Sequence, residues 1–139
     1  MREQPSQQAS FFPDPQTVAA VRQFLRDCLP DVDPDVVHTA TLLASEIAAN
    51  VVEHARTEYQ VRVRRSERNL RVEIADGSSV IPAVRDLAVD ADRGRGLLLL
   101  AGLADAWGVE EAPTGKDVWF ELVLPAPSFT EAKTGSATT

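Results

Sequence analysis

The sequence predicts an α+β two-layer sandwich, with helices packed on one face of a mixed, largely antiparallel sheet. Three observations predict it. Two helical patterns open the chain, each announced by an Asp-Pro pair; the apolar period then changes from 3.6 to 2 over two adjacent segments; and a further apolar helix is followed by two more strand-like segments. At 139 residues with 44% hydrophobic side chains, one domain with one core is expected. No internal repeat is visible.

Residues 1–10 are polar and predicted to be loose, with Phe11 and Phe12 starting the ordered part as a short strand or an anchor on the core. Asp14-Pro15 is a helix start, with Asp14 as N-cap and proline at the first helical position. Val18, Val21, Leu25 and Cys28 then recur at helical spacing and draw one apolar face. Pro30 ends that helix. Asp33-Pro34 repeats the signal for a second helix, predicted from Pro34 to about Ala55.

The second half of that helix, TLLASEIAANVVEHA, is apolar around nearly the whole circumference, which predicts burial. A narrow polar stripe runs through them: Glu46, Asn50 and His54 are spaced i, i+4, i+8, with Glu53 on the same arc. A buried carboxylate needs a partner, because an unpaired charge costs several kcal/mol. No Lys or Arg lies within a turn of Glu46, so the partner is another element, water, or a ligand with its metal. Alone, Glu-x-x-x-Asn is a weak signal, since so short a spacing matches by accident.

Tyr59, Val61 and Val63 alternate with polar residues, as do Leu70, Val72 and Ile74; the turn at Ser66 to Asn69 makes them a hairpin, with their arginines on the solvent face. The second strand stops at Asp76-Gly77-Ser78-Ser79. From there to Arg93 little periodicity remains, and a connection of that length is more often functional than idle. Gly94-Arg95-Gly96 then leads into an apolar helix reaching to about Asp105. Trp107 and Val109 begin a third strand, a turn falls at Pro113 to Lys116, Val118 to Leu124 form a fourth, and residues 126–139 read as a disordered tail.

The composition excludes some functions. A net charge of −7 gives no footprint for a nucleic-acid backbone. No apolar run reaches membrane-spanning length, and MREQPSQQAS lacks the basic start and apolar core of a signal peptide, so the expected location is the cytoplasm. One cysteine and two histidines offer no zinc-type cluster, and Cys28 reads as a small core residue.

SEIAANVVEHA, IADGSS and GRGLLLL, closed by GKDVWFEL, stand in a fixed order that resembles the ATP-binding domain of the gyrase, heat-shock-protein, histidine-kinase and mismatch-repair superfamily, the Bergerat fold. The chain looks most like its small branch of anti-sigma-factor serine/threonine kinases and related actinobacterial regulators, over roughly residues 11–125. The resemblance implies ATP held between helices and sheet, Asn50 as a ligand of the Mg²⁺ that bridges the phosphates, and Glu46 as the base for the attacking hydroxyl or water. Those roles suit a hard cation that takes oxygen ligands and a carboxylate within reach of a nucleophile. It further implies Asp76 as acceptor for the adenine amine, Gly77 and Ser78 beside it, and Gly94, Arg95, Gly96 and Leu97 as the lid-end motif on the phosphates.

This sequence departs from the family's first glycine motif: Ser78 and Val80 hold the usual glycine positions, with Gly77 displaced by one. Where members carry a threonine or serine near the last strand, Asp117 stands; it is left outside the site, since two carboxylates at one base repel. His54 fits the pattern but reads as a helix-end residue bonded to a loop. The implied activity is phosphorylation of an anti-anti-sigma (STAS-type) partner by a protein that also sequesters a sigma factor, commonly as a homodimer. The alternative is a module regulating by contact alone, which would keep its contacts when Glu46 is made Gln. A sensor histidine kinase is the weakest reading, because the sequence shows no dimerising helix pair with a phosphoacceptor histidine and neither His38 nor His54 has that setting.

Overall fold

A computed structural model describes residues 6–78, 100 and 102–125. Five strands form one sheet: β1 (Gln7–Phe11), β2 (Tyr59–Arg65), β3 (Asn69–Asp76), β4 (Ala106–Ala112) and β5 (Gly115–Val123), in the order β1-β2-β3-β5-β4. Every pairing is antiparallel. Helices α1 (Gln16–Cys28) and α2 (Pro34–Asn50) share one core with Val61, Val72, Ile74, Val118 and Phe120 of the sheet. The predicted two-layer sandwich is therefore the observed one.

The second Asp-Pro signal acts as expected, with Asp33 as N-cap and Pro34 first in α2; the first is shifted by one residue, since Pro15 holds the cap position and α1 starts at Gln16. Asp14 Oδ1 accepts from the Gln16 amide at 3.0 Å, and Asp33 Oδ1 from the Asp35 amide at 2.8 Å, each relieving a donor that the first helical turn cannot satisfy. Val21, Leu25 and Cys28 are buried on the predicted face of α1. The first strand begins earlier than its hydrophobicity indicates, at Gln7 rather than Phe11, because polar Gln7 and Gln8 are held through pairing with Val63 and Arg62. Phe11 is the anchor: its ring stacks on Tyr59 at 5.5 Å and meets Phe24 edge-on at 6.3 Å.

The second helix differs from expectation at its end. The α-helical part stops at Asn50, and Val51–Ala55 form a single π-helical turn, closed by Arg56 N–H donating to the Val51 carbonyl at 2.8 Å. Arg56 follows in the left-handed region, with φ of 58°. Nor is the helix submerged all round: Leu42, Glu46, Asn50 and Val52 are half-buried and Ala49 is exposed, while Ala40, Leu43, Ala44, Ile47, Ala48 and Val51 are buried. Strand β5 starts at Gly115, where a turn had been read to Lys116.

Candidate functional site

The helix end and the strand end that carry the candidate residues meet at one pole. Asn50 is the last residue of α2, Asp76 the last of β3, and Tyr59 at the start of β2 pairs with Asp76. The chain between α2 and β2 is tied across this pole: Thr57 Oγ1 accepts from the Gly77 amide at 2.9 Å and donates to the Glu58 carbonyl at 3.0 Å. A Cβ at Gly77 would only touch Thr57 at 3.5 Å, so the position tolerates a side chain.

On α2, Glu46 and Asn50 lie one turn apart on the half-buried face. Among the described residues neither side chain makes a hydrogen bond or an ion pair, so both remain available to a ligand. Among the described residues His54 makes no bond to a loop. Its Nε2 sits 3.4 Å from Oε1 of its neighbour Glu53, and both are exposed.

Asp76 is the most enclosed of the candidates, with its side chain 0% exposed. The strand alternation points it inward, at the edge of the core. Oδ1 accepts from the Ser78 amide at 2.8 Å and from Lys116 Nζ at 3.1 Å. Oδ2 lies 2.9 Å from the same ammonium but without the alignment of a hydrogen bond, so this buried oxygen has an acceptor position unfilled. Lys116 faces Asp76 across the β3–β5 ladder with its side chain 8% exposed. Beside it, Gly115 has φ of 153°, and a Cβ there would run into the Asp76 carbonyl oxygen; glycine is required for the two strands to approach at this point.

Lys116 and Thr57 were not among the residues singled out from the sequence. A lysine after a glycine in a turn reads as solvated, but the alternation of Lys116 with Val118, Phe120 and Leu122 already places it on the core face. Asp117, by the same alternation, lies on the outer face of the sheet beside Ala75 and Glu110, away from Asp76. Burial, then Glu73 and Glu110, push its carboxyl up to about 6, against the pull of Arg71 and Arg62. Its separation from Asp76 comes from the strand face and not from repulsion. Gly94, Arg95, Gly96 and Leu97 lie outside the described residues, as does Val80.

The hairpin arginines are more than a solvated face. Arg62, Arg64 and Arg71 converge on Glu73 at 3.4, 3.0 and 2.7 Å, covering it to 6% exposure, while Arg71 also bonds Glu121 at 2.9 Å and lies 4.2 Å from the Trp119 ring centroid. Burial alone would raise the Glu73 carboxyl, but the Arg71 hydrogen bond and the surrounding guanidiniums overcome it and hold the group below its ordinary value.

An antiparallel sheet under two helices, with Glu46 and Asn50 on a helix and the buried Asp76 at a strand end, is a two-layer α+β sandwich. The histidine kinase-like ATPase domain matches residues 11–122, and the chain belongs to that family. Among solved structures, it resembles the RsbU and RsbW domains of Rv1364c from Mycobacterium tuberculosis, with a TM-score of 0.63 and 17% identity. The match covers 88% of this chain and 34% of that one, so this chain spans about a third of the longer protein and shares its fold. No curated protein matches the sequence. Family membership implies ATP as the ligand, and Asp76 Oδ2 fits it: a fully buried carboxylate oxygen with an open lone pair is what an exocyclic amine requires. Among the described residues, no helix is long and apolar enough to cross a membrane.

Proposed function

We propose that this chain is an ATP- and Mg²⁺-dependent protein serine/threonine kinase that phosphorylates an anti-anti-sigma (STAS-type) partner and holds a sigma factor inactive. The observation that carries the reading is the pairing of an unpartnered Glu46 and Asn50 on α2 with an open acceptor on Asp76 at the same pole. Asn50 would offer a neutral amide oxygen to Mg²⁺, whose charge would neutralise the phosphates during transfer. When bound, Mg-ATP supplies the γ-phosphoryl group. Glu46 accepts the proton of the attacking hydroxyl as the new O–P bond forms and the bond to the ADP oxygen breaks. Phosphate placed on the partner adds charge at an interface and releases it, which is how such a transfer would switch the sigma factor. The shared fold of the RsbW-containing structure supports the regulatory class.

A second reading rests on the enclosure of Asp76 by Lys116: a chain that satisfies most of its own base site suits a regulator acting by contact alone. Calorimetric titration with ATP separates the two. Binding that needs Mg²⁺ and is lost in both Asn50→Ala and Asp76→Ala is expected, with Glu46→Gln retaining binding but losing transfer. A folded protein that ignores millimolar ATP would overturn the kinase reading and leave the contact-only regulator.

A further inference from the structure

The polar atoms around Asp76 assign a role to Lys116. A carboxylate offers about four acceptor positions and an ammonium three donors. The Ser78 amide and one Lys116 proton fill Oδ1. Oδ2 keeps an open position although no water reaches it, and Lys116 Nζ stands 2.9 Å away with only one aligned hydrogen bond among the described residues. An unfilled acceptor and an unfilled donor therefore sit side by side, both withdrawn from solvent.

Resting on the ATP-binding reading above, we propose that Lys116 reads the base directly, its ammonium donating to ring nitrogen N1 of adenine while Asp76 Oδ2 accepts from the exocyclic amine. The acceptor-donor pair matches the order of groups along adenine's edge, where a donating amine adjoins an accepting ring nitrogen. Guanine presents the reverse order, a carbonyl oxygen beside a ring N–H, so that in the same pose an oxygen would face the carboxylate and an N–H the ammonium. Selection at this site would then come from two strand residues on facing rungs, Asp76 and Lys116, with Gly115 permitting their close approach.

The test compares ATP with 1-deaza-ATP, which lacks N1 but keeps the amine, using 7-deaza-ATP as a control altered elsewhere on the ring. A hydrogen bond from a charged donor corresponds to about tenfold or more in affinity, so wild type should bind 1-deaza-ATP about tenfold more weakly than ATP, and 7-deaza-ATP like ATP. In Lys116→Met, shown to be folded by circular dichroism, ATP binding should weaken and the preference over 1-deaza-ATP should fall to within about twofold. Equal binding of ATP and 1-deaza-ATP by wild type overturns the proposal and leaves the ATP-binding reading intact, as would GTP bound as tightly as ATP. A preference unchanged in Lys116→Met also overturns it. Failure to bind ATP at all overturns both. Should Lys116→Met not fold, the wild-type comparison decides without it, and Lys116→Arg, which keeps the charge but moves the donors, should show a reduced preference.

Discussion

Replacing Asp117 by Asn should stabilise the protein at neutral pH, by an amount that shrinks as the solution is acidified. Asp117 Oδ1 is buried without a hydrogen bond, on a strand flanked by Glu110, and its carboxyl is pushed from 3.8 to about 6. A folded-state value above the unfolded one means that the folded protein binds the proton more tightly. This contribution is therefore fully present below 3.8 and is lost as pH rises through about 6. Two-state linkage with those two values, reduced for solvent screening of a half-buried group, gives a wild-type gain of roughly 1 kcal/mol between pH 7.5 and pH 5. The amide brings an NH₂ group that also wants partners, so the net gain of Asn at pH 7.5 is expected at about 1–2 kcal/mol. Urea unfolding of both proteins at pH 7.5 and pH 5 measures it, and the difference between them cancels the other titrating groups. A melting temperature raised by roughly 3–6 °C at pH 7.5 is the corresponding thermal result. An advantage that does not change with pH, or a variant less stable than wild type at pH 7.5, would refute the desolvation account.

Two further substitutions probe the sheet. Glu73→Gln leaves Arg62, Arg64 and Arg71 without their shared carboxylate and should cost about 2–3 kcal/mol at pH 7 in urea unfolding. Because the folded value is depressed, the carboxylate's contribution is present above the ordinary 4.5 and lost as pH falls through the folded value, so the two proteins should converge in acid. Gly115→Ala meets the Asp76 carbonyl at a backbone angle that a side chain rarely adopts; a loss of about 2–4 kcal/mol is expected by thermal unfolding, together with weaker ATP binding by calorimetry.

How far the sequence reached depended on whether a feature is local. Asp14-Pro15 and Asp33-Pro34 act through bonds spanning two residues, so the two helix starts were legible, as was the hairpin from its alternation. The burial of Glu73 was not, because it depends on Arg62 and Arg64 of the neighbouring strand as well as Arg71 of its own. The Asp76–Lys116 pair required the register between strands 40 residues apart, which no local pattern encodes. Alternation could have placed Lys116 on the core face, had the strand been started at Gly115 instead of Val118. The helix end was misread for another reason: an added residue in one turn leaves the apolar pattern of Val51, Val52 and Ala55 compatible with an ordinary helix, so the π-helical turn is silent in the sequence.

That turn bears on how the site is assembled. The chain leaves α2 through the bond from Arg56 N–H to the Val51 carbonyl, reverses at Arg56 in a conformation unfavourable for any residue but glycine by about 1–2 kcal/mol, and at once delivers Thr57 to the Gly77 amide. Two residues later Tyr59 enters the sheet opposite Asp76, its hydroxyl 2.6 Å from Thr17 Oγ1 on α1. Asn50 and Asp76, on the metal side and base side of the proposed ligand, are thus referenced to each other by a short run of backbone and one side-chain bond. A widened turn followed by a left-handed residue is costly locally and is retained only where surrounding structure determines it. Here the surrounding structure is the junction of the two elements on which binding depends, so the strain sits where it sets the distance between them.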